Sequence, residues 1–255
     1  MWEDRVLYVG PDVPSTLHAH HAVQVCVSLS EPLRFRSSLR APWRGYGGAV
    51  IPSDVPHQTD PVVPLLATFW LDAETPDAKR LVEWHVGRTI VPIKSSQLRV
   101  LVPRLHACWE DGYKGSEAAS LLDEVIQILS PCVEPSLRPT LDPRVARAQE
   151  LLRSAPMRRL ALADLAAAVS LSPSRLGHLL RPHLGLPVRR YLLWLRLRDA
   201  LQEMARGAPI TQAAHAAGFA DASHLDRTFR RMLGFTPSAA LRVSQFVQDG
   251  PAPRV

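Results

Sequence analysis

The spacing of hydrophobic positions changes character about a third of the way along the chain. From Leu7 to about Leu71 apolar residues come in short runs. Ala22-Val23-Gln24-Val25-Cys26-Val27-Ser28-Leu29 is rich in β-branched residues and alternates in part. Pro11, Pro14, Pro32, Pro42, Pro52, Pro56, Pro61 and Pro64 punctuate this stretch every few residues. Short strands with frequent turn signals predict an all-β sandwich or barrel. Beyond Asp72 the period lengthens to three and four. Pro76 to Gly87 predicts a short helix. Gln97 to Trp109 places Leu98, Leu101 and Leu105 on one face, with Pro103 bending that helix or marking its start. Ser116 to Leu129 predicts an amphipathic helix with Leu121, Leu122, Val125, Ile126 and Leu129 on its apolar side and Ser116 as cap. These helices are expected to cover the barrel or to pair with a second subunit. Pro131 to Pro143 then holds four prolines in 13 residues. It cannot be one helix and reads as a semi-rigid linker.

Past the linker the pattern is helical throughout. Asp142-Pro143 opens a helix as cap and first-turn proline. In Ile210 to Pro237, Ile210, Ala213, Ala214 and Ala217 share one helical face, Gly218 can take a left-handed turn, and Asp221 can cap the next helix. There Leu225, Phe229 and Met232 are expected to bury, and His224, Arg227, Thr228, Arg230 and Arg231 to face outward. Leu160 to Gly185 repeats the plan. Ala166 corresponds to Ala214, Ser170 to Gly218, Leu176 to Leu225, Leu180 to Phe229 and His178 to Arg227. Between the two copies, Pro187 to Gly207 has no internal breaker. About 19 helical residues at ~1.5 Å each make a rod of roughly 28 Å. Major-groove faces on one side of DNA repeat every ~34 Å. Two helix-turn-helix units, at about 160–182 and 209–233, can therefore enter adjacent groove segments.

Charge sharpens the division. Residues 1–137 hold 12 Lys and Arg against 16 Asp and Glu, while residues 138–255 hold 18 against 8. All 18 of those cations are Arg, whose flat fork of donors suits phosphate and guanine. Only the C-terminal part is basic, as a polyanion-binding domain is. Cys26, Cys108 and Cys132 are odd in number and form no CxxC pair. That fits a reducing cytoplasm and argues against a disulfide framework or a cysteine zinc site. With no exported leader and no membrane span in the pattern, a cytoplasmic protein is expected.

Two histidine groups lie in the β region. The first is His18-Ala19-His20-His21 with Gln24 following; the second is Ile51-Pro52-Ser53-Asp54-Val55-Pro56-His57. Together they resemble the two motifs of the cupin barrel. That resemblance puts His18, His20 and His57 on the histidine positions of metal-binding cupins. Gln24 stands where those carry glutamate, and Asp54 where they carry a turn glycine. Loss of the anionic ligand argues against a metal, so no cofactor is expected. The group then reads as the polar lining of an effector site, formed by His18, His20, Gln24 and His57, or as histidines satisfied by loop carbonyls.

The whole chain resembles the AraC/XylS family of bacterial transcription regulators. The likeness rests on Gly218-Phe219, Ser223-His224, Arg227-x-Phe229-Arg230-Arg231 and Gly234-Phe235-Thr236-Pro237, with Asp142-Pro143-Arg144, Ala166, Arg196, Ala200 and Leu201 in agreement. It implies a two-domain α+β chain: a cupin-like β-barrel followed by helices, then an all-α domain with two helix-turn-helix units joined by a long helix. The boundaries expected are 1–130 for sensing and dimerisation, 131–143 for the linker, 144–245 for DNA binding and 246–255 for a flexible tail. The resemblance assigns base contacts to Ser174, Arg175 and His178 in the first unit and to Ala222, Ser223, His224, Asp226 and Arg227 in the second. Arg181, Arg189, Arg190, Arg230 and Arg231 fall to phosphate. Gly177 and Pro182 weaken the first recognition helix as a reader. Double-stranded DNA, a small-molecule effector, RNA polymerase and a second copy of the chain are the expected partners, with no membrane. The function expected is that of a transcription factor, not an enzyme. A metal-dependent cupin enzyme with a DNA-binding tail and an unregulated architectural DNA binder are the competing readings.

Overall fold

The computed structural model describes residues 5–60, 64–84, 89–110, 115–130, 142–153, 161–243 and 245–246. Most of the expected linker, 131–141, lies outside them, as does 247–255 of the expected tail. The chain forms two compact units. One comprises Met1–Val133 with Phe229–Val255, the other Glu134–Thr228.

The first unit is built on antiparallel strands. β1 (Arg5–Gly10), β2 (Ala22–Ser28), β5 (Gly48–Ile51), β7 (Leu66–Asp72), β8 (Val91–Pro92) and β9 (Gln245–Phe246) make a six-stranded sheet in the order β8-β5-β2-β7-β1-β9. β3 (Leu33–Arg36), β4 (Arg44–Tyr46) and β6 (Gln58–Thr59) make a second sheet in the order β4-β3-β6. Among the described residues the two sheets do not close into one barrel. Prolines explain part of this, because each removes a ladder donor and they cluster around the short strands of the second sheet. Every residue of β2 is buried, which accounts for the incomplete alternation of its sequence. Val23, Val25 and Val27 face one core with α1 (Pro76–Trp84), α2 (Ser95–Glu110) and α3 (Gly115–Leu129); Cys26 faces another with Leu33, Phe35 and Ile51.

The helices of this unit use their apolar faces internally. Leu101, Leu105, Leu122, Val125, Ile126 and Leu129 all lie in the core shared with the six-stranded sheet. α2 runs through Pro103 instead of starting there. α3 begins at Gly115, so Ser116 sits inside its first turn and is not the cap. The strand Gln245–Phe246 pairs with β1, Phe246 opposite Tyr8, so the tail expected from 246 begins inside the sheet.

One close approach fixes the C-terminal segment of this unit. The Gly234 carbonyl accepts the Thr16 N–H at 2.8 Å and the Thr16 hydroxyl at 3.1 Å. Gly234 has φ +80°, and a Cβ there would stand 2.5 Å from His18 Nδ1 and 2.7 Å from the Thr16 carbonyl oxygen. Both the left-handed backbone and the lack of space require glycine.

The second unit is helical: α4 (Pro143–Arg153), α5 (Leu162–Ala168), α6 (Pro173–Leu184), α7 (Val188–Ala205), α8 (Ile210–Ala216) and most of α9 (Ala222–Leu233). Asp142 caps α4 through its Oδ1, which accepts the Arg144 N–H at 2.9 Å. α7 is its central rod, burying Val188, Tyr191, Leu192, Trp194, Leu195, Leu197 and Leu201. Pro187 precedes it and Gly207, at φ +91°, follows its end. α10 (Pro237–Val243) follows α9 within the first unit.

Two predictions follow from the packing of the first unit. Gly234→Ala strains a left-handed backbone by about 1–2 kcal/mol and pushes on Thr16, so the urea midpoint should fall. The second concerns Asp12, whose Oδ2 is buried without a partner. Burial, with some help from the charge of Asp60, raises its carboxyl to about 7, against a hydrogen bond from the Val13 backbone. The folded value lies above the unfolded one, so stability from this group is full below about pH 4 and is lost as pH rises through about 7. Asp12→Asn should be near neutral at pH 4 and raise stability at pH 8, on the order of 2–4 kcal/mol; urea titrations at both pH values check it.

Candidate functional site

α6 and α9 are each set by a turn, and the two turns have matching hydrogen bonds. In the first, the N–H of Ser170 reaches the Ala167 carbonyl at 3.0 Å and that of Leu171 reaches Ala166 at 2.9 Å. In the second, Gly218 N–H reaches His215 at 3.1 Å and Phe219 N–H reaches Ala214 at 2.9 Å. Each pair of partners is separated by the same number of residues in both copies. Both turn residues are left-handed, Ser170 at φ 54° and Gly218 at φ 81°. The small Ala166 and Ala214 are fully buried, which lets the helices approach. Caps begin the following helices: the Ser172 hydroxyl accepts the Arg175 N–H at 3.2 Å, and Asp221 Oδ1 accepts the His224 N–H at 2.6 Å.

The candidate DNA contacts lie outward as a group. Ser174, Arg175, His178, Arg181, Arg189, Arg190, Ser223, Arg227, Arg230 and Arg231 are exposed, and Ala222, His224 and Asp226 are half-buried. His224 leans edge-on against Phe219, with ring centroids 5.2 Å apart. Leu225, Phe229 and Met232 are buried as expected. Thr228 is not on the outer face: it is 2% exposed. It sits three residues after Leu225 and one before Phe229, at the margin of the apolar stripe, where a small hydroxyl can turn onto the helix backbone. The basic face is therefore narrower than the sequence suggests and is carried by arginines.

The histidines converge in the first unit. His18 and His57 exchange main-chain hydrogen bonds, at 3.0 and 2.9 Å, as an isolated antiparallel bridge. Residues so paired project to the same side, and the His20 ring lies beside them. Ring centroids are 4.2 Å apart for His18 and His57, 5.0 Å for His20 and His57, and 5.7 Å for His18 and His20. All three rings are buried. Each Nδ1 faces a main-chain carbonyl: Thr16 at 2.8 Å, Ala22 at 3.1 Å and Val55 at 2.9 Å for His18, His20 and His57. Gln24 joins them, its Oε1 2.7 Å from His20 Nε2 and its Nε2 2.9 Å from Cys26 Sγ. Burial pushes the His18 imidazole down to about 3, with His20 adding to the shift. It also lowers His20 and His57. The cluster is neutral at physiological pH. Burial likewise pushes the Cys26 thiol up to about 12, so it is no nucleophile.

His21 belongs to a different arrangement. Its Nε2 meets Glu74, and its Nδ1 lies 3.1 Å from the Ser53 hydroxyl and 3.5 Å from Asp54 Oδ2. Burial opposes charge on this ring, but the hydrogen bonds and charges of Asp54 and Glu74 outweigh it and raise the group to about 9. Asp54 also shapes the turn. It takes φ 60°, the conformation that a glycine would adopt, and donates its N–H to the His20 carbonyl at 2.8 Å. Asp is among the few side chains that tolerate this region.

Sequence reading brought together His18, His20, Gln24 and His57 correctly as neighbours. It missed Thr16 and Gly234, which lie 218 residues apart. The only trace was a glycine before Phe235-Thr236-Pro237, which looks like an ordinary helix stop.

A sequence model described as "Helix-turn-helix domain" matches residues 165–242. The arabinose operon regulatory proteins of Escherichia coli and Salmonella typhimurium are each 31% identical over 131 residues. That is 51% of this chain and 45% or 47% of theirs, so the chain spans about half the length of the curated relatives it matches. Among solved structures, ToxT from Vibrio cholerae aligns over 93% of this chain and 96% of its own, with TM-score 0.58 and 13% identity. An unsaturated fatty acid-bound ToxT aligns over 96% and 98%, with TM-score 0.53 and 12% identity. At that identity the likeness speaks for the fold: an N-terminal sheet domain and a C-terminal helical domain. Over about half of its length the sequence is similar to AraC-type transcription regulators.

Proposed function

We propose that the chain is a sequence-specific, effector-controlled transcriptional regulator that reads double-stranded DNA with α6 and α9. The observation that carries this reading is the repeated turn. Two copies of the same hydrogen-bond pattern end α5 and α8 and launch α6 and α9, each with an arginine-bearing outer face. Arg227 is placed to meet a guanine edge with two donors, and Asp226 to accept from a cytosine amine. Arg181, Arg189, Arg190, Arg230 and Arg231 hold phosphates and fix the register. Gly177 offers the DNA no side chain, so the first unit docks on shape and backbone and the second reads more sequence.

The domain plan behind this proposal is a cupin-like sensor over 1–130, a linker over 131–143 and two helix-turn-helix units within 144–245. The effector binds among the buried polar groups of the first unit, by analogy with the fatty acid that a ToxT structure carries. Its occupancy shifts DNA affinity or contact with RNA polymerase. The protein works in the cytoplasm as a homodimer. Since the apolar face of α3 is used in its own core, the dimer contact must come from another surface. No helix among the described residues is long and apolar enough to cross a membrane.

The roles of the arginines separate in a selection of binding sites from random DNA. Arg227→Ala should relax preference at one base position, a loss of about 1–3 kcal/mol of discrimination. Arg189→Ala should weaken all sequences alike and reduce the salt dependence of binding. Equal loss across all operators for both variants would contradict the assignment.

A further inference from the structure

We infer that His18, His20 and His57 form a binding site for a borderline divalent transition-metal ion, of the class of Zn2+, Co2+ and Ni2+. We infer further that this ion is the effector of the regulator proposed above, on which that second step rests. The sequence reading set metal aside because Gln24 replaces a carboxylate. The geometry reverses the weight of that substitution.

The donor atoms are arranged for an ion before one arrives. Each Nδ1 lies against a main-chain carbonyl, at 2.8, 3.1 and 2.9 Å for His18, His20 and His57. A carbonyl only accepts, so each Nδ1 carries the ring proton and each Nε2 is left with a lone pair. Metal-ligating histidines are oriented in this way, with the second nitrogen donating to a carbonyl. One ligand nitrogen from each ring lies within 4.8 Å of the others. Tetrahedral zinc holds its imidazole nitrogens at about 2.0–2.1 Å, so modest ring rotations bring the three onto one ion. His57 Nε2 supplies an independent sign. It is buried and has no hydrogen-bond partner. A buried acceptor beside two further imidazoles is a place that a cation can fill.

Gln24 completes the set. Its Oε1 lies 2.7 Å from His20 Nε2, one acceptor against another. With the amide turned over, its NH2 donates to His20 and its oxygen accepts the Cys26 thiol proton; such an orientation is an assignment from the hydrogen-bond network. Turned back, the oxygen is free to be a fourth ligand. The set has three imidazoles, one amide oxygen and no carboxylate. That suits borderline transition ions and does not suit Mg2+ or Ca2+, which need several oxygens. Asp54 and Glu74, the acids of this region, are engaged with His21.

The site is tied to the C-terminal segment of its own unit. Thr16, whose carbonyl orients His18, also gives its N–H and hydroxyl to the Gly234 carbonyl. Gly234 lies so close to the His18 ring that it has room for no Cβ. It is the residue that ends α9, the helix bearing Arg227, Arg230 and Arg231. Drawing His18 onto an ion therefore loads the contact that anchors the end of that helix.

The test uses tag-free, chelator-stripped full-length protein with Zn2+ or Co2+ alone. Equilibrium dialysis with elemental analysis should give one ion per chain, and Co2+ should develop the visible absorption of nitrogen coordination. His20→Ala and His57→Ala should each weaken uptake at least about 100-fold, at the upper end of what one ligand or its support contributes. Gln24→Glu should tighten it about 10-fold or more by restoring an anionic ligand, a gain that misfolding cannot imitate. Absence of stoichiometric uptake, or uptake unchanged in both histidine variants, overturns the site. Operator affinity is then measured with and without Zn2+. A change of about 5-fold or more in the wild type, lost in His57→Ala, supports the effector role; intact uptake with unchanged affinity overturns it. Operator binding by the metal-free protein is read separately, so failure of the site and failure of the DNA-binding function are distinguishable.

Discussion

The contact of Gly234 with Thr16 and His18 ties the start of the first unit to its C-terminal segment. It joins residues more than two hundred positions apart. It uses a carbonyl that must accept two donors, and it leaves no volume for a side chain. The same segment carries the main-chain exchange of His18 with His57. The His18 ring therefore takes its place partly from a glycine at the end of α9.

Much of the helical part was legible because its signals are local. Asp142 and Asp221 cap where their spacing says they should, Gly218 turns left-handed, and the apolar stripe of Leu225, Phe229 and Met232 buries. Ser170 is more instructive. It carries no glycine signature, yet it takes the same left-handed turn because its neighbours form the same pair of hydrogen bonds. Thr228 shows the limit of periodicity: a residue at the edge of a stripe buries or not according to what packs against it.

The strands were legible in kind and not in closure. Prolines told where ladders break, but whether two sheets join is decided by pairings far apart in sequence. The burial of both faces of β2 erased the alternation on which strand reading depends. His18, His20 and His57 could be grouped from their spacing. Their tautomers could not, since these are fixed by the carbonyls of Thr16, Ala22 and Val55. The sequence alone counted a missing carboxylate against a metal; the folded chain adds an unpartnered His57 nitrogen on the other side of the balance.

A regulator whose specificity rests on an arginine face needs that face to discriminate in the presence of a whole chromosome of competing phosphate. Genome-wide mapping of the protein on its own chromosome asks this directly. The account predicts a small number of sharp peaks beside particular promoters. Diffuse occupancy without peaks, under conditions where the effector site is filled as well as where it is empty, would contradict it.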